Sequence, residues 1–206
     1  MTFPDEKFDD IGSFADAYFD KIASAAASVD RAKLVHAADV LERTYRQSNT
    51  LFVCGNGGSA AIAGTFVCDH SKLVQTDTDL KAKVISLADN MSMITAIAND
   101  LSYDDIFLYQ LKTLAGAGDT LLAISASGDS ENVVKAATWA RDNKMEVIAF
   151  TGFAGGRMAD LATVHLHVRA DNYGVIEDVH QSLMHMLAQY VRLKQMPAEL
   201  IAKRKF

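Results

Sequence analysis

Residues 50–70, TLFVCGNGGSAAIAGTFVCDH, indicate the fold class of this chain. The apolar run 50–54 predicts a buried strand, the glycines of residues 55–58 predict a tight turn, and residues 59–70 predict a helix. Glycine lets a backbone approach an anion closely, and the first turn of a helix presents free N–H groups. The segment therefore fits an anion-binding loop, although a strand-to-helix turn without a ligand also accounts for it.

The same alternation of strand and helix continues along the rest of the chain. Strands are predicted at residues 83–88, 119–124, 145–151 and 162–168, and helices at residues 91–98, 103–114, 131–143 and 175–196. Five apolar strands separated by helices predict a parallel sheet that is covered on both faces. The expected fold class is a three-layer α/β sandwich with a five-stranded parallel sheet.

Two amphipathic helices are predicted before the first strand. Apolar residues recur at helical spacing over residues 7–27, and Asp30 is suited to cap a second helix. This helical hairpin has to cover its apolar face against the sheet or against another subunit. We expect a single domain of residues 1–206, with an N-terminal hairpin (1–48), an α/β core (49–196) and a basic, solvated tail (197–206).

The composition excludes several classes of function. The chain has 206 residues, with 26 acidic and 20 basic side chains and a formal net charge of −6. This balance argues against binding to a nucleic-acid backbone, which requires clustered lysine and arginine. No stretch reaches the ~18 uninterrupted apolar residues of a membrane span, and the acidic N-terminus lacks the apolar core of a secretory signal. We therefore expect a cytoplasmic protein without nucleic-acid or membrane partners.

A second loop, residues 125–130 (SASGDS), follows the strand predicted at residues 119–124. Ser125, Ser127 and Ser130 place three hydroxyls before a helix, whereas a helix cap needs only one. Serine hydroxyls and helix N–H groups together can hold a phosphate without any lysine. Because ligands of parallel sheets bind beyond the carboxyl ends of the strands, the two loops predict one polyhydroxylated, phosphorylated ligand.

The glycine loop also matches the GxGxxA pattern of dinucleotide-binding folds, with Ala60 at its last position. The pattern is short enough to occur by chance, and the chain has no separate substrate domain. A dinucleotide would also leave the serines of the second loop without a role. We expect no nucleotide cofactor.

Ionisable side chains on two predicted helices are candidates for proton transfer. Asp69 comes four residues after Thr65, so both lie on one face of the helix that follows the glycine loop. On the last helix, His185 comes seven residues after Asp178 and eight after Glu177. Such a group is either a general acid–base set or a surface network, and the apolar residues around His185 are more typical of a core or interface histidine.

Four segments together carry a resemblance to a known family: CGNGGSA (54–60), AIAND followed by DDIF (96–107), LLAISASGDSENVVKA (121–136) and IEDVHQSLMHML (176–187). They resemble the SIS (sugar isomerase) domain, and within it the phosphoheptose isomerases, which interconvert sedoheptulose 7-phosphate and heptose 7-phosphate. The resemblance extends from the N-terminal helices to about residue 193. It implies the flavodoxin-like SIS fold and a homotetramer with active sites between subunits.

The resemblance also implies roles for individual residues. Asp69 falls on the catalytic carboxylate of the family and His185 on its catalytic histidine. The positions that it assigns to substrate binding are Asn56, Gly57, Gly58, Ser59, Asn99, Asp100, Ser125, Ala126, Ser127, Ser130 and Glu177. We expect an aldose–ketose isomerase that forms an enediol, with Asp69 as base and His185 as acid, or with these roles exchanged.

Several positions depart from the family pattern. Thr65 stands in place of a histidine and Asp69 in place of a glutamate, while Glu177 replaces a glutamine and Ala126 a threonine. In the family, the first three of these positions and that of His185 can bind zinc. Threonine is a poor zinc ligand, which leaves Asp69, Glu177 and His185 as the predicted zinc set. The departures suggest a different sugar phosphate or, as the alternative, a non-catalytic tetramer that binds a sugar phosphate or a replication initiator.

Overall fold

The computed structural model describes residues 2–206, and its centre is one sheet of five parallel strands. The strands are β1 (Thr50–Gly55), β2 (Lys83–Ser86), β3 (Thr120–Ser125), β4 (Glu146–Thr151) and β5 (Val164–His167). Their order across the sheet is β2-β1-β3-β4-β5, and every neighbouring pair is parallel. The predicted fold class is therefore confirmed.

The strands are apolar on both sides because helices cover both faces of the sheet. Along β3, Leu121 and Ala123 belong to one buried apolar cluster, whereas Leu122 and Ile124 belong to another. Successive residues of a strand point to opposite faces, so the two clusters are the two interfaces between the three layers. This explains why the sequence shows continuous apolar runs here instead of alternation.

The helices are α1 (Ile11–Ala27), α2 (Arg31–Arg46), α3 (Gly58–Cys68), α4 (Met91–Asp100), α5 (Leu108–Leu114), α6 (Glu131–Asp142), α7 (Met158–Leu161), α8 (Tyr173–Gln195) and α9 (Ala198–Ile201). A π turn (Asp69–Leu73) extends α3, and a 3₁₀ turn (Tyr103–Asp105) precedes α5. Within residues 2–206, none of these helices has the length and apolar character to cross a membrane.

Two predicted helices differ most from the structure. The first helix begins at Ile11, not at residue 7, because the Asp10 side chain accepts hydrogen bonds from the N–H groups of Gly12 and Ser13. An N-cap residue has non-helical backbone angles, so a helix starts after it. The helix predicted at 103–114 is divided into the 3₁₀ turn and α5. The predicted cap at Asp30 is confirmed, since its carboxylate accepts from the N–H groups of Ala32 and Lys33.

The N-terminal hairpin packs within the chain, since α1 and α2 both lie against α8. The tail beyond α8 is exposed but is not simply solvated. Arg204 forms an ion pair with Asp77, with its Nε 2.8 Å from Oδ2. The guanidinium of Arg192 on α8 also binds Asp77, at 3.0 Å. The centre of the Phe206 ring lies 4.8 Å from the guanidinium carbon of Arg192. These contacts hold the tail against the end of α8.

Candidate active site

The glycine loop after β1 brings the start of α3 close to α8. Gly57 has a φ of +55°, a conformation that glycine adopts readily and other residues rarely do. Gly58 faces Glu177 so closely that a Cβ at position 58 would overlap the carboxylate. Burial, together with the neighbouring Asp178, raises the pKa of Glu177 above its ordinary value. The loop therefore holds a half-buried carboxyl group at the N-terminal end of α3.

The side chain of Asn56, a predicted substrate contact, is engaged within the protein. Its Nδ2 donates to Oδ1 of Asn132, and Nδ2 of Asn132 donates back to Oδ1 of Asn56, both at 2.9 Å. The Tyr103 hydroxyl also donates to Oδ1 of Asn56, at 2.9 Å. Ser59, another predicted contact, is buried beneath the loop, and its N–H donates to the Asn56 carbonyl at 3.0 Å.

The serine loop after β3 gathers its three hydroxyls as predicted. Ser125 Oγ lies 3.4 Å from Ser127 Oγ and 3.3 Å from Ser130 Oγ. The Ser130 hydroxyl makes no capping bond to α6, although Ser130 is the residue before that helix. Hydroxyls grouped at the N-terminus of a helix suit an anion. Ala126 differs from them, because it is buried in the apolar core and its carbonyl accepts a hydrogen bond from the Gly152 N–H at 2.7 Å.

Two acidic residues, Asp129 in the serine loop and Glu131 at the start of α6, are neutralised by Arg157. The sequence analysis did not single out this arginine. Arg157 Nε lies 2.8 Å from Asp129 Oδ1, and Arg157 Nη1 lies 2.8 Å from Glu131 Oε2. The hydrogen bonds from Arg157 lower the pKa of Asp129. Two carboxylates beside an anion site would repel the anion, and the ion pairs with Arg157 reduce that repulsion.

A glycine pair supports the serine loop from behind. Gly128 has a φ of +69°, and a Cβ there would overlap the Gly155 carbonyl. The Met158 N–H donates to the Gly128 carbonyl at 3.1 Å. The sequence predicts no strand or helix for residues 152–160, and the pair Gly155-Gly156 beside Arg157 is the signal that could have identified this stretch as part of the site.

Asp69 and His185, the predicted acid–base pair, are in direct contact. Asp69 is the first residue of the π turn after α3, and its Oδ2 lies 2.6 Å from Nδ1 of His185 in α8. The Asp69 side chain is 22% exposed and that of His185 is 43% exposed. Gln181, one turn earlier on α8, places its Nε2 3.0 Å from the other ring nitrogen of His185. The pair is therefore oriented from both sides of the ring and open to solvent.

Other predicted members of the site lie apart from this pair. Asn99 and Asp100 are exposed at the end of α4 and hydrogen-bond to each other, with Nδ2 of Asn99 2.8 Å from Oδ1 of Asp100. Asp178 accepts a hydrogen bond from the Tyr18 hydroxyl at 2.8 Å, which connects α1 to α8. Burial and this carboxylate raise the pKa of Tyr18 to about 12, so the phenol stays protonated.

The predicted zinc set is not assembled within one chain. In the part of the chain that the structure describes, residues 2–206, no three side chains of His, Cys, Asp or Glu converge closely enough to hold a metal ion. Asp69 and His185 bond directly to each other, and the Glu177 carboxylate lies against Gly58. The Thr65 hydroxyl donates to the Ala61 carbonyl of its own helix, at 3.2 Å. These donors do not fit a zinc site.

Comparisons with known proteins agree with this architecture. A model of the SIS domain matches residues 17–152. The chain is 36% identical over 177 residues to a probable phosphoheptose isomerase of Thermoplasma acidophilum, covering 86% of this chain and 97% of that protein. It is 41% identical over 157 residues to the phosphoheptose isomerase of Bordetella avium, covering 75% and 79%. The structure of phosphoheptose isomerase GmhA from Neisseria gonorrhoeae superposes with a TM-score of 0.81 at 30% identity, covering 88% and 98%.

Proposed function

Because this chain belongs to the SIS-domain family, and within it to the phosphoheptose isomerases, we propose that it is an aldose–ketose isomerase that interconverts sedoheptulose 7-phosphate and heptose 7-phosphate. The observation that carries the proposal is the 2.6 Å contact between Asp69 and His185. This contact joins residues 116 positions apart in the sequence, in a chain that also gathers three serine hydroxyls at a helix start.

The serine loop anchors the phosphate of the substrate. Ser125, Ser127 and Ser130 supply hydroxyl donors, and the start of α6 adds the positive end of a helix dipole. Because Arg157 is already paired with Asp129 and Glu131, the dianion is held mainly by neutral donors. Binding energy from this remote group orients the carbonyl end of the sugar for reaction.

The acid–base pair moves two protons and leaves the atom count unchanged. We assign to Asp69 the removal of the proton from the carbon beside the carbonyl, which gives an enediol or enediolate. His185 then transfers a proton between the two neighbouring oxygens, and return of a proton to the other carbon completes the isomerisation. Exchanging the roles of Asp69 and His185 gives a second mechanism in which the protons also balance.

Zinc, which the resemblance implies, stays a prediction that the residues of a single chain do not support. Asp69 and His185 account for both proton transfers of the proposed reaction. Metal analysis of the purified protein, with activity measured before and after chelation and after zinc is restored, tests this point. A stoichiometric metal that restores activity would contradict a reaction carried by Asp69 and His185 alone.

We also propose that the chain functions as a homotetramer, as the resemblance implies. An apolar groove of about 710 Å³ lies between α2, α8 and the tail. Val35, Met186, Tyr190 and Phe206 line it and are exposed in the single chain. An apolar patch of this kind supports a subunit interface. Sedimentation of the wild type and of Tyr190→Glu tests the proposal, since the variant is expected to dissociate. Location in the cytoplasm also stays a prediction.

The central experiment follows sedoheptulose 7-phosphate by NMR in the presence of the purified protein. We expect aldose signals with the wild type and a rate at least about 100-fold lower with Asp69→Asn, since general acid–base groups contribute roughly 10²–10⁴-fold. Asp16→Asn is the matched control, because Asp16 is exposed on α1 and is not part of the site. Binding of the sugar phosphate without any turnover by the wild type would support the non-catalytic alternative, which the comparisons do not favour.

A further inference from the structure

We infer that Asn132 is a positioning residue for the isomerisation, because its carboxamide joins the glycine loop to the serine loop. The inference rests on the proposed function and extends it to a residue that makes no contact of its own with the reacting atoms. Asn132 is the second residue of α6, and only 2% of it is exposed. A buried carboxamide has to satisfy its donors and acceptor within the protein.

Two of the three side-chain hydrogen bonds of Asn132 cross to the other loop. Its Oδ1 accepts from Nδ2 of Asn56, and its Nδ2 donates to Oδ1 of Asn56, both at 2.9 Å. Its Oδ1 also accepts from the N–H of Val133, at 2.9 Å. Two antiparallel bonds between amides fix both the distance and the relative orientation of the groups that carry them.

The amide pair lies beyond the ends of two neighbouring strands, where it can set the distance between the glycine loop and the serine loop. Strands β1 and β3 are neighbours, with Gly55 opposite Ile124. The pair therefore spans the two loops directly beyond the ends of these strands. One loop begins α6, where the phosphate is proposed to bind, and the other begins α3, which ends next to Asp69. The pair thus sets the separation between the phosphate cradle and the acid–base pair.

The same geometry revises the role of Asn56. Its Oδ1 already accepts from Asn132 and from the Tyr103 hydroxyl, and one of its two Nδ2 hydrogens is donated to Asn132. An amide has two donor hydrogens, so one N–H of Asn56 is left for a substrate hydroxyl. Asn132 orients that remaining donor, and Tyr103 holds the pair from the outer side.

Kinetics of Asn132 variants test the inference. In Asn132→Ala, both bonds to Asn56 are lost and the loops can shift relative to each other. Because a displacement of ~1 Å can cost roughly 10²-fold in rate, we expect kcat to fall about 10–100-fold. The phosphate cradle itself is intact, so the KM and the affinity for inorganic phosphate, measured by calorimetry, should change less than about threefold.

A second variant covers the case in which Asn132→Ala does not fold. Asn132→Ser is uncharged, suits the first turn of a helix, and has a single hydroxyl, so it can replace at most one of the two bonds to Asn56. We expect kcat to fall about 3–10-fold, the range for one hydrogen bond. Asn143→Ala is the matched control, because Asn143 ends α6 and bonds only to its own helix, at Trp139.

Unchanged kcat in both Asn132 variants, or an equal loss of phosphate affinity, would overturn the inference. Failure of the wild type to convert sedoheptulose 7-phosphate would instead contradict the proposed function. In that case the amide bridge is tested without substrate, by thermal unfolding of Asn56→Ala, Asn132→Ala and the double variant. The double variant should lose no more stability than the worse single variant, and additive losses would show that the two residues are independent.

Discussion

The serine loop and the Asp69–His185 pair differ in how completely one chain builds them. The serine loop is enclosed by its own chain, because Gly155 and Gly156 lie behind it and Arg157 neutralises its acidic residues. The acid–base pair joins two elements by a single bond and remains open to solvent. The half of the site that is proposed to bind phosphate is therefore preorganised by its own chain, whereas the proposed acid–base half is more open.

The largest expected effect comes from removing the histidine of the acid–base half. His185→Ala should lower kcat by about 10²–10⁴-fold and leave the affinity for inorganic phosphate unchanged, because the serine loop does not depend on His185. Rate measurements and calorimetry on one preparation test both parts, with His36→Ala, an exposed histidine of α2, as control. Loss of phosphate affinity in His185→Ala would show that the two halves are not separate.

A substitution in the glycines that support the serine loop should lower phosphate affinity, which the His185 substitution leaves unchanged. In Gly128→Ala, the new Cβ meets the Gly155 carbonyl at a φ of +69°, so we expect a loss of about 2–4 kcal/mol in the free energy of unfolding. The affinity for inorganic phosphate should fall in the same variant. Chemical denaturation measures the first effect. Gly116→Ala is the control, since a Cβ at Gly116 meets no atom within 4 Å, and equal losses in both variants would contradict the packing argument.

A smaller effect is expected for one hydroxyl of the cradle. Ser127→Ala removes one donor to the phosphate and should raise the KM about 10–100-fold with kcat nearly unchanged, as expected for one hydrogen bond to a charged group. Steady-state kinetics measure the two constants. Thr138→Ala, in the middle of α6 and bonded only to its own helix, provides a comparison for hydroxyl loss away from the loop.

The smallest effect concerns the half-buried Glu177. Burial raises the pKa of Glu177 in the folded state, so the ionised carboxylate disfavours folding, and this cost grows as the pH rises through the folded-state pKa. Glu177→Gln removes the cost. We expect a Tm increase of about 1–2 °C at pH 7 that disappears as the pH approaches 4. A lower Tm of the variant at pH 7 would contradict this assignment.

Local signals in the sequence predicted the fold and the grouping of three serine hydroxyls before α6. The apolar runs and the loops that follow them indicated the strands, and three serines before a helix indicated the cradle. These features depend on residues close together in the chain. The contact between Asp69 and His185 joins positions 116 residues apart, and only the resemblance to a family brought them together in advance.

The remaining parts of the site depend on contacts between residues far apart in the chain, which the periodicity of apolar residues does not reveal. The sequence indicates only that Asn132 is a polar residue in the first turn of a helix. The fold places Asn56 opposite it. The sequence gives no sign that Arg157 is more than a surface charge, whereas the structure shows its ion pair with Asp129. Position-by-position transfer likewise proposed a zinc set, although within residues 2–206 no three His, Cys, Asp or Glu side chains converge closely enough to hold a metal ion.

The buried guanidinium of Arg192 has a consequence for the placement of the whole last helix. It donates to the Thr76 carbonyl at 3.1 Å, to Asp77 at 3.0 Å and to the Lys205 carbonyl at 3.2 Å. Because a helix rises 1.5 Å per residue, a slip of α8 by a single residue would break all three bonds and leave a charge stranded in the interior. Arg192 thereby sets the axial register of α8, and with it the height at which His185 meets Asp69.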